Sequence, residues 1–179
     1  MDKYDRTGLA GIEALKPILQ QISNNQQIIF PNGSASDKKL QHLGMDVGFI
    51  NHQGQLMTIE VKTVNSENTH IFVELITDIV HPRMGWFYRI EVDLLAYINL
   101  ASNFAILMKW IPAKSWIETY IENNRKKLFI QMDERKSAVG MWIPLQELAH
   151  GIDRNNFGTF NLGQPELWQG KFSNLSLVA

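Results

Sequence analysis

A chain of 179 residues, 45% hydrophobic and 20% charged, has the composition of an ordinary globular protein and apolar material enough for a core. It has no cysteine, which excludes disulfides, thiolate metal sites and cysteine nucleophiles. Any bound metal must sit among carboxylates, histidines or carbonyls, a set that favours hard ions. The formal net charge of -1 stands against the basic balance of most nucleic-acid binders, so a nucleic-acid enzyme here would need an acidic metal site with a local basic rim.

Met1 leads into Asp2, Lys3, Tyr4, Asp5 and Arg6, and no long apolar segment follows. The expectation is a chain without a signal peptide, without a membrane span and without a membrane partner. Its expected place is cytoplasmic, in the host cell if the gene is phage-borne.

Leu9, Ile12, Leu15, Leu19 and Ile22 recur at helical spacing, so the N-terminus reads as an amphipathic helix, with Pro17 expected to kink or split it. Gln27 to Phe30 is a short strand candidate, closed by a turn at Pro31 to Ser34. Met45, Val47 and Phe49 alternate with Asp46, Gly48 and Ile50 in a strand. Asn51 to Gly54 turns the chain, and Leu56 to Thr63 returns it as a hairpin. His70 to Ile76 reads as a third strand. Glu91 to about Leu100 reads as a helix and Phe104 to Trp110 as a strand.

Pro112 is expected at the first position of a helix running to about Glu122. Leu128 to Met132 and Val139 to Ile143 pair as a late hairpin, and Pro144 to Ala149 is helical. The remainder, rich in Gly, Asn and Gln, reads as irregular structure. The succession implies an α/β fold with a mixed sheet covered by helices.

Asp46 lies on the first strand of the hairpin and Glu60 on the second. Lys62 follows Glu60 by two, so both point to one face of the strand while Val61 points to the other. A Glu-x-Lys pair on an edge strand is in itself an ordinary surface ion pair. The wider pattern says more. Gly44-Met45-Asp46-Val47 followed by Ile59-Glu60-Val61-Lys62-Thr63, with thirteen residues between Asp46 and Glu60, resembles the PD-(D/E)xK nuclease superfamily. The core motif there is an aspartate on one strand and a Glu/Asp-x-Lys on the next, with apolar residues flanking the acids. Asp37, Gln41 and Gly44 resemble the approach segment of some phage and bacterial members. Met45 stands where the motif has proline.

The resemblance spans roughly residues 8 to 100. It implies a restriction-endonuclease-like core, a central mixed β-sheet flanked by helices. It also implies a single nuclease domain over 1–179, with the core at about 8–110 and a C-terminal elaboration at about 111–179. The implied activity is metal-dependent endonucleolytic hydrolysis of DNA, of the restriction, homing, junction-resolving or phage DNA-processing type. The cofactor is then Mg2+, with Mn2+ possible. Asp46 and Glu60 would hold the ion with the Val61 carbonyl. Glu13 on the first helix would complete the donor set, and Lys62 would orient water, act as a base or stabilise charge.

Lys38, Lys39 and Arg83 are candidate DNA contacts; Arg125 to Lys127 and Arg135 with Lys136 form further basic clusters. A two-fold dimer is expected, because cutting both strands needs two sites and one small chain offers little basic surface. Competing readings are a non-catalytic nucleic-acid-binding or assembly module on the same fold, and a structural domain with an accidental Glu-x-Lys strand. Glu74 could approach the site, and Trp86, Phe87 and Tyr88 could stack on bases or pack in the core. The histidines show no ligand spacing, so zinc is not expected.

Overall fold

The computed structural model describes residues 3–23, 27–30, 44–51, 53–67, 69–132 and 137–170, with side chains of 3–6, 131–132 and 164–170 set aside. The expectations at Asp37, Lys38, Lys39, Gln41, Arg135 and Lys136 lie outside the described residues.

Helix α1 spans Lys3–Ile22. It runs as one helix through Pro17, against the expected split. The physical reason lies in the face it buries. Leu15, Ile18, Leu19 and Ile22 are buried on both sides of the proline, and Pro17 itself is exposed. Burying four large aliphatic side chains outweighs one missing backbone hydrogen bond.

Strands β1 (Ile28–Ile29), β2 (Val47–Ile50) and β3 (Leu56–Val64) form an antiparallel edge. The β2–β3 turn is made by Asn51, whose side chain accepts from the Gln53 and Gln55 N–H groups, and by Gly54 at φ +77°. Strand β4 (His70–Asp78) leaves this sheet and pairs with β5 (Arg83–Met84). The single turn α2 (Trp86–Arg89) follows.

Residues Leu94–Asn99, expected to be helical, are strand β6. Every residue of it is buried, and it is bonded in parallel to β3 and antiparallel to β7 (Phe104–Lys109). A central strand covered on both faces has no polar alternation to betray it. Helix α3 covers Trp110–Asn123, so Pro112 stands at its third position, still within the turn whose N–H groups lack helical partners.

Strands β8 (Phe129–Met132) and β9 (Ser137–Pro144) form the late hairpin, and helix α4 spans Leu145–Gly151. The region expected to be irregular contributes β10 (Phe157–Asn161) and β11 (Gln164–Gly170). Pairing with β7 supplies the order that its composition does not suggest.

The result is a mixed α/β fold. The central sheet runs β1-β2-β3-β6-β7-β10-β11, and a second, antiparallel sheet runs β5-β4-β9-β8. Alternation along the central strands separates two cores. Val47, Phe49, Ile59, Val61, Leu94, Ala96 and Ile98 pack under α1. Leu95, Tyr97, Ile106 and Met108 pack on the other side with the second sheet, α2, α3 and α4. Glu60 and Lys62 share the parity of Val64, which packs against this second core. The site therefore lies on the face of the central sheet opposite α1. No helix among the described residues is long and apolar enough to cross a membrane.

Candidate active site

Asp46 sits one residue ahead of β2, and its N–H donates to the Ile59 carbonyl at 2.9 Å. The Val61 N–H in turn donates to Asp46 Oδ2 at 2.8 Å. These bonds hold the Asp46 carboxyl alongside β3, in the same pocket as the Glu60 carboxyl. Glu60 Oε1 accepts from Lys62 Nζ. The Lys62 ammonium also lies 5.1 Å from the centre of the Trp86 ring, within cation–π range.

The Ile59 carbonyl and the Val61 N–H both face β2, so the Val61 carbonyl faces that edge too. Three of the residues expected to act together are thus brought together, with the Val61 carbonyl on their side.

Asp46, Glu60 and Lys62 line a pocket of about 160 Å³ whose other walls are Gly44, Trp86, Arg89 and Ile90. Gly44 is required there for two reasons. Its φ of +85° is strained for any side chain. A Cβ would also lie 2.7 Å from Ile90 Cγ2 and 3.3 Å from Glu60 Oε2. Trp86 is fixed by packing on Phe87 and Trp110, and its N–H donates to Glu74 Oε1 at 3.4 Å. Glu74, which also accepts from Thr77 Oγ1, therefore supports α2 and does not line the pocket.

Glu60 is only 7% exposed. Burial, reinforced by repulsion from Asp46 and opposed by Lys62, pushes its carboxyl up to about 7. Burial also raises Asp46, against the Val61 N–H and Lys62. The two acids titrate as a pair that holds a proton where isolated carboxyls would have lost theirs.

Glu13 is not brought to this pair. Its carboxylate is 64% exposed and bridges Lys16 Nζ at 2.6 and 2.7 Å. Gly11 explains why. It seats α1 on β3 so closely that a Cβ would overlap Thr63 Oγ1. Two residues later the helix has turned about 200°, which points Glu13 away from the sheet. The whole helix, moreover, covers the face opposite Glu60 and Lys62. Among the described residues no group of three or more acidic or histidine side chains is assembled for a metal.

Arg83 lies on β5 and lines a separate apolar groove of about 340 Å³ with Pro82, Met84 and Tyr88. Trp86 and Phe87 are buried and Tyr88 is exposed, so the aromatic run divides between core and surface. His81 faces Asp78 at 3.5 Å, and His150 Nδ1 lies 2.7 Å from the Gln146 carbonyl.

Arg89 was not singled out by sequence. Its only sequence signal is its i+3 spacing from Trp86, and that becomes informative only once α2 is seen against β3. Comparisons with family models, with curated proteins and with solved structures find no match.

Proposed function

We propose that this protein is a metal-dependent nuclease of the restriction-endonuclease-like fold, hydrolysing DNA phosphodiester bonds. The observation that carries the reading is the desolvated Asp46–Glu60 pair, made by adjacent strands, with Lys62 on its flank. Two carboxylic acids crowded in a poorly solvated pocket are costly as ions. A divalent cation removes that cost.

The donor set suits magnesium, which is commonly held by one or two protein carboxylates with waters and substrate phosphate completing its shell. Asp46 and Glu60 would hold it, with the Val61 carbonyl as a third protein oxygen. When bound, such an ion lowers the pKa of water and neutralises charge on the phosphate.

The chain's own groups do the rest. The Val61 N–H fixes the Asp46 carboxylate, leaving its other oxygen for a ligand. Lys62 is held between the Glu60 carboxylate and the Trp86 ring, a fixed cation beside the acids. Its work is to stabilise the negative charge that builds on the phosphate as water adds to phosphorus and one P–O bond to sugar breaks. Action on both strands of a duplex would use two copies of the chain.

The test is cleavage of supercoiled plasmid, a four-way junction and single-stranded DNA with Mg2+ or Mn2+, beside Asp46→Asn and Glu60→Ala. Metal-dependent cleavage that both variants abolish supports the reading. Absence of cleavage on all three substrates, with the protein folded and the metals present, overturns it.

A further inference from the structure

Arg89 is the last residue of α2 and faces the same pocket as Asp46, Glu60 and Lys62. The backbone on both sides of it is anchored. Trp86, three residues earlier, is buried against Trp110 and Phe87. Ile90, the next residue, is buried, and its carbonyl accepts the Trp110 indole N–H at 3.2 Å. The Arg89 side chain, by contrast, is exposed. Two carboxyls line the same pocket, yet Arg89 makes no ion pair with either. Among the described residues it has no hydrogen-bond or ion-pair partner at all.

Charge says what such a group is for. With both acids ionised, Asp46, Glu60 and Lys62 together carry one net negative charge, which repels a phosphodiester. Arg89 cancels it. Lys62 is already engaged by Glu60, so among the described residues Arg89 is the cation of this pocket left to take an anion. A guanidinium presents a planar fork of donors that matches two phosphate oxygens, which an ammonium does not.

We infer that Arg89 is the phosphate-binding residue of this site: its guanidinium takes two non-bridging oxygens of a backbone phosphate and delivers the phosphodiester to the Asp46–Glu60–Lys62 pocket. The inference rests on the nuclease reading above and assigns the group that holds its substrate.

The test has a readout other than cleavage. Binding of a short fluorescein-labelled DNA duplex, and of one of its strands alone, is measured in EDTA across a range of salt for wild type, Arg89→Ala, Arg89→Gln and Arg89→Lys. Loss of a bidentate charged contact should weaken binding about tenfold or more in Arg89→Ala. The slope of log affinity against log salt should fall by about one, the signature of one lost phosphate contact. Arg89→Gln, which keeps the stem without the charge, should behave like Arg89→Ala. Arg89→Lys should keep the slope while losing part of the affinity.

The unfolding midpoint should not move, since the side chain is exposed. Wild-type affinity and slope in folded Arg89→Ala and Arg89→Gln would overturn the inference while leaving the nuclease reading intact. If the wild-type protein neither binds these DNAs nor cleaves DNA with Mg2+, the nuclease reading falls and this inference falls with it.

Discussion

The buried acid pair should make the metal-free protein lose stability as pH rises, and Glu60→Gln should remove that loss. Glu60 is raised from 4.5 to about 7, chiefly by burial. Between those values the folded state binds a proton that the unfolded chain has released. Unfolding then releases protons, so stability falls as pH rises through this window and levels off above about 7. A tenfold difference in proton affinity between the folded and unfolded states is worth about 1.4 kcal/mol, so the whole window is worth on the order of 3 kcal/mol.

Glutamine keeps the shape and cannot ionise. It also relieves Asp46 of its repulsive neighbour, so most of the pair's pH dependence should vanish together. The assay is urea unfolding in EDTA from about pH 5 to pH 8, read as the difference between wild type and variant so that all other titrating groups cancel. The variant should gain on wild type with rising pH by an amount of that order, shifting its midpoint by about 1–2 M urea at the alkaline end. Parallel curves for the two proteins would refute the claim that the Glu60 charge is desolvated in the fold.

Further outcomes follow from the same geometry. Mg2+ at ten times its dissociation constant should stabilise wild type by about 1.4 kcal/mol, a few degrees in midpoint, and should do nothing for Asp46→Asn; differential scanning fluorimetry reads both. Gly44→Ala should cost about 2–3 kcal/mol, combining a left-handed alanine with overlap at Ile90, and should lower cleavage; urea unfolding and a cleavage assay check it. Glu13→Ala should change stability by less than about 0.5 kcal/mol and leave cleavage at the wild-type rate, because its exposed carboxylate pairs, among the described residues, with Lys16 alone.

What could be read from the sequence was local. Asn51 and Gly54 enforce a tight turn, and a tight turn forces the flanking alternating runs into antiparallel register, so the meeting of Asp46 with Glu60 follows from a few residues. What could not be read was set by distant packing. The wholly buried run at Leu94–Asn99, apolar up to Asn99, is a strand because β3 and β7 lie on either side of it, and nothing within the run says so. The Gly- and Asn-rich stretch at Phe157–Asn161 is ordered by β7, some fifty residues away. Glu13 sits on a correctly recognised helix but on its outer face, a matter decided by the seat of Gly11 against Thr63. Arg89 lines the pocket of the acids only because aromatic packing places α2 beside β3.

The central claim is that Asp46, Glu60 and Lys62 form one catalytic unit, and Lys62→Ala tests it most directly. Lys62 is half-buried, and among the described residues its ammonium pairs with Glu60 and lies over the Trp86 ring, so the variant should fold with little loss. Magnesium affinity should persist, since lysine is not a ligand. The rate of Mg2+-dependent DNA cleavage at saturating metal should nevertheless fall about 10²–10³-fold, as expected for loss of transition-state charge stabilisation. A folded Lys62→Ala protein that cleaves DNA at the wild-type rate would contradict the account.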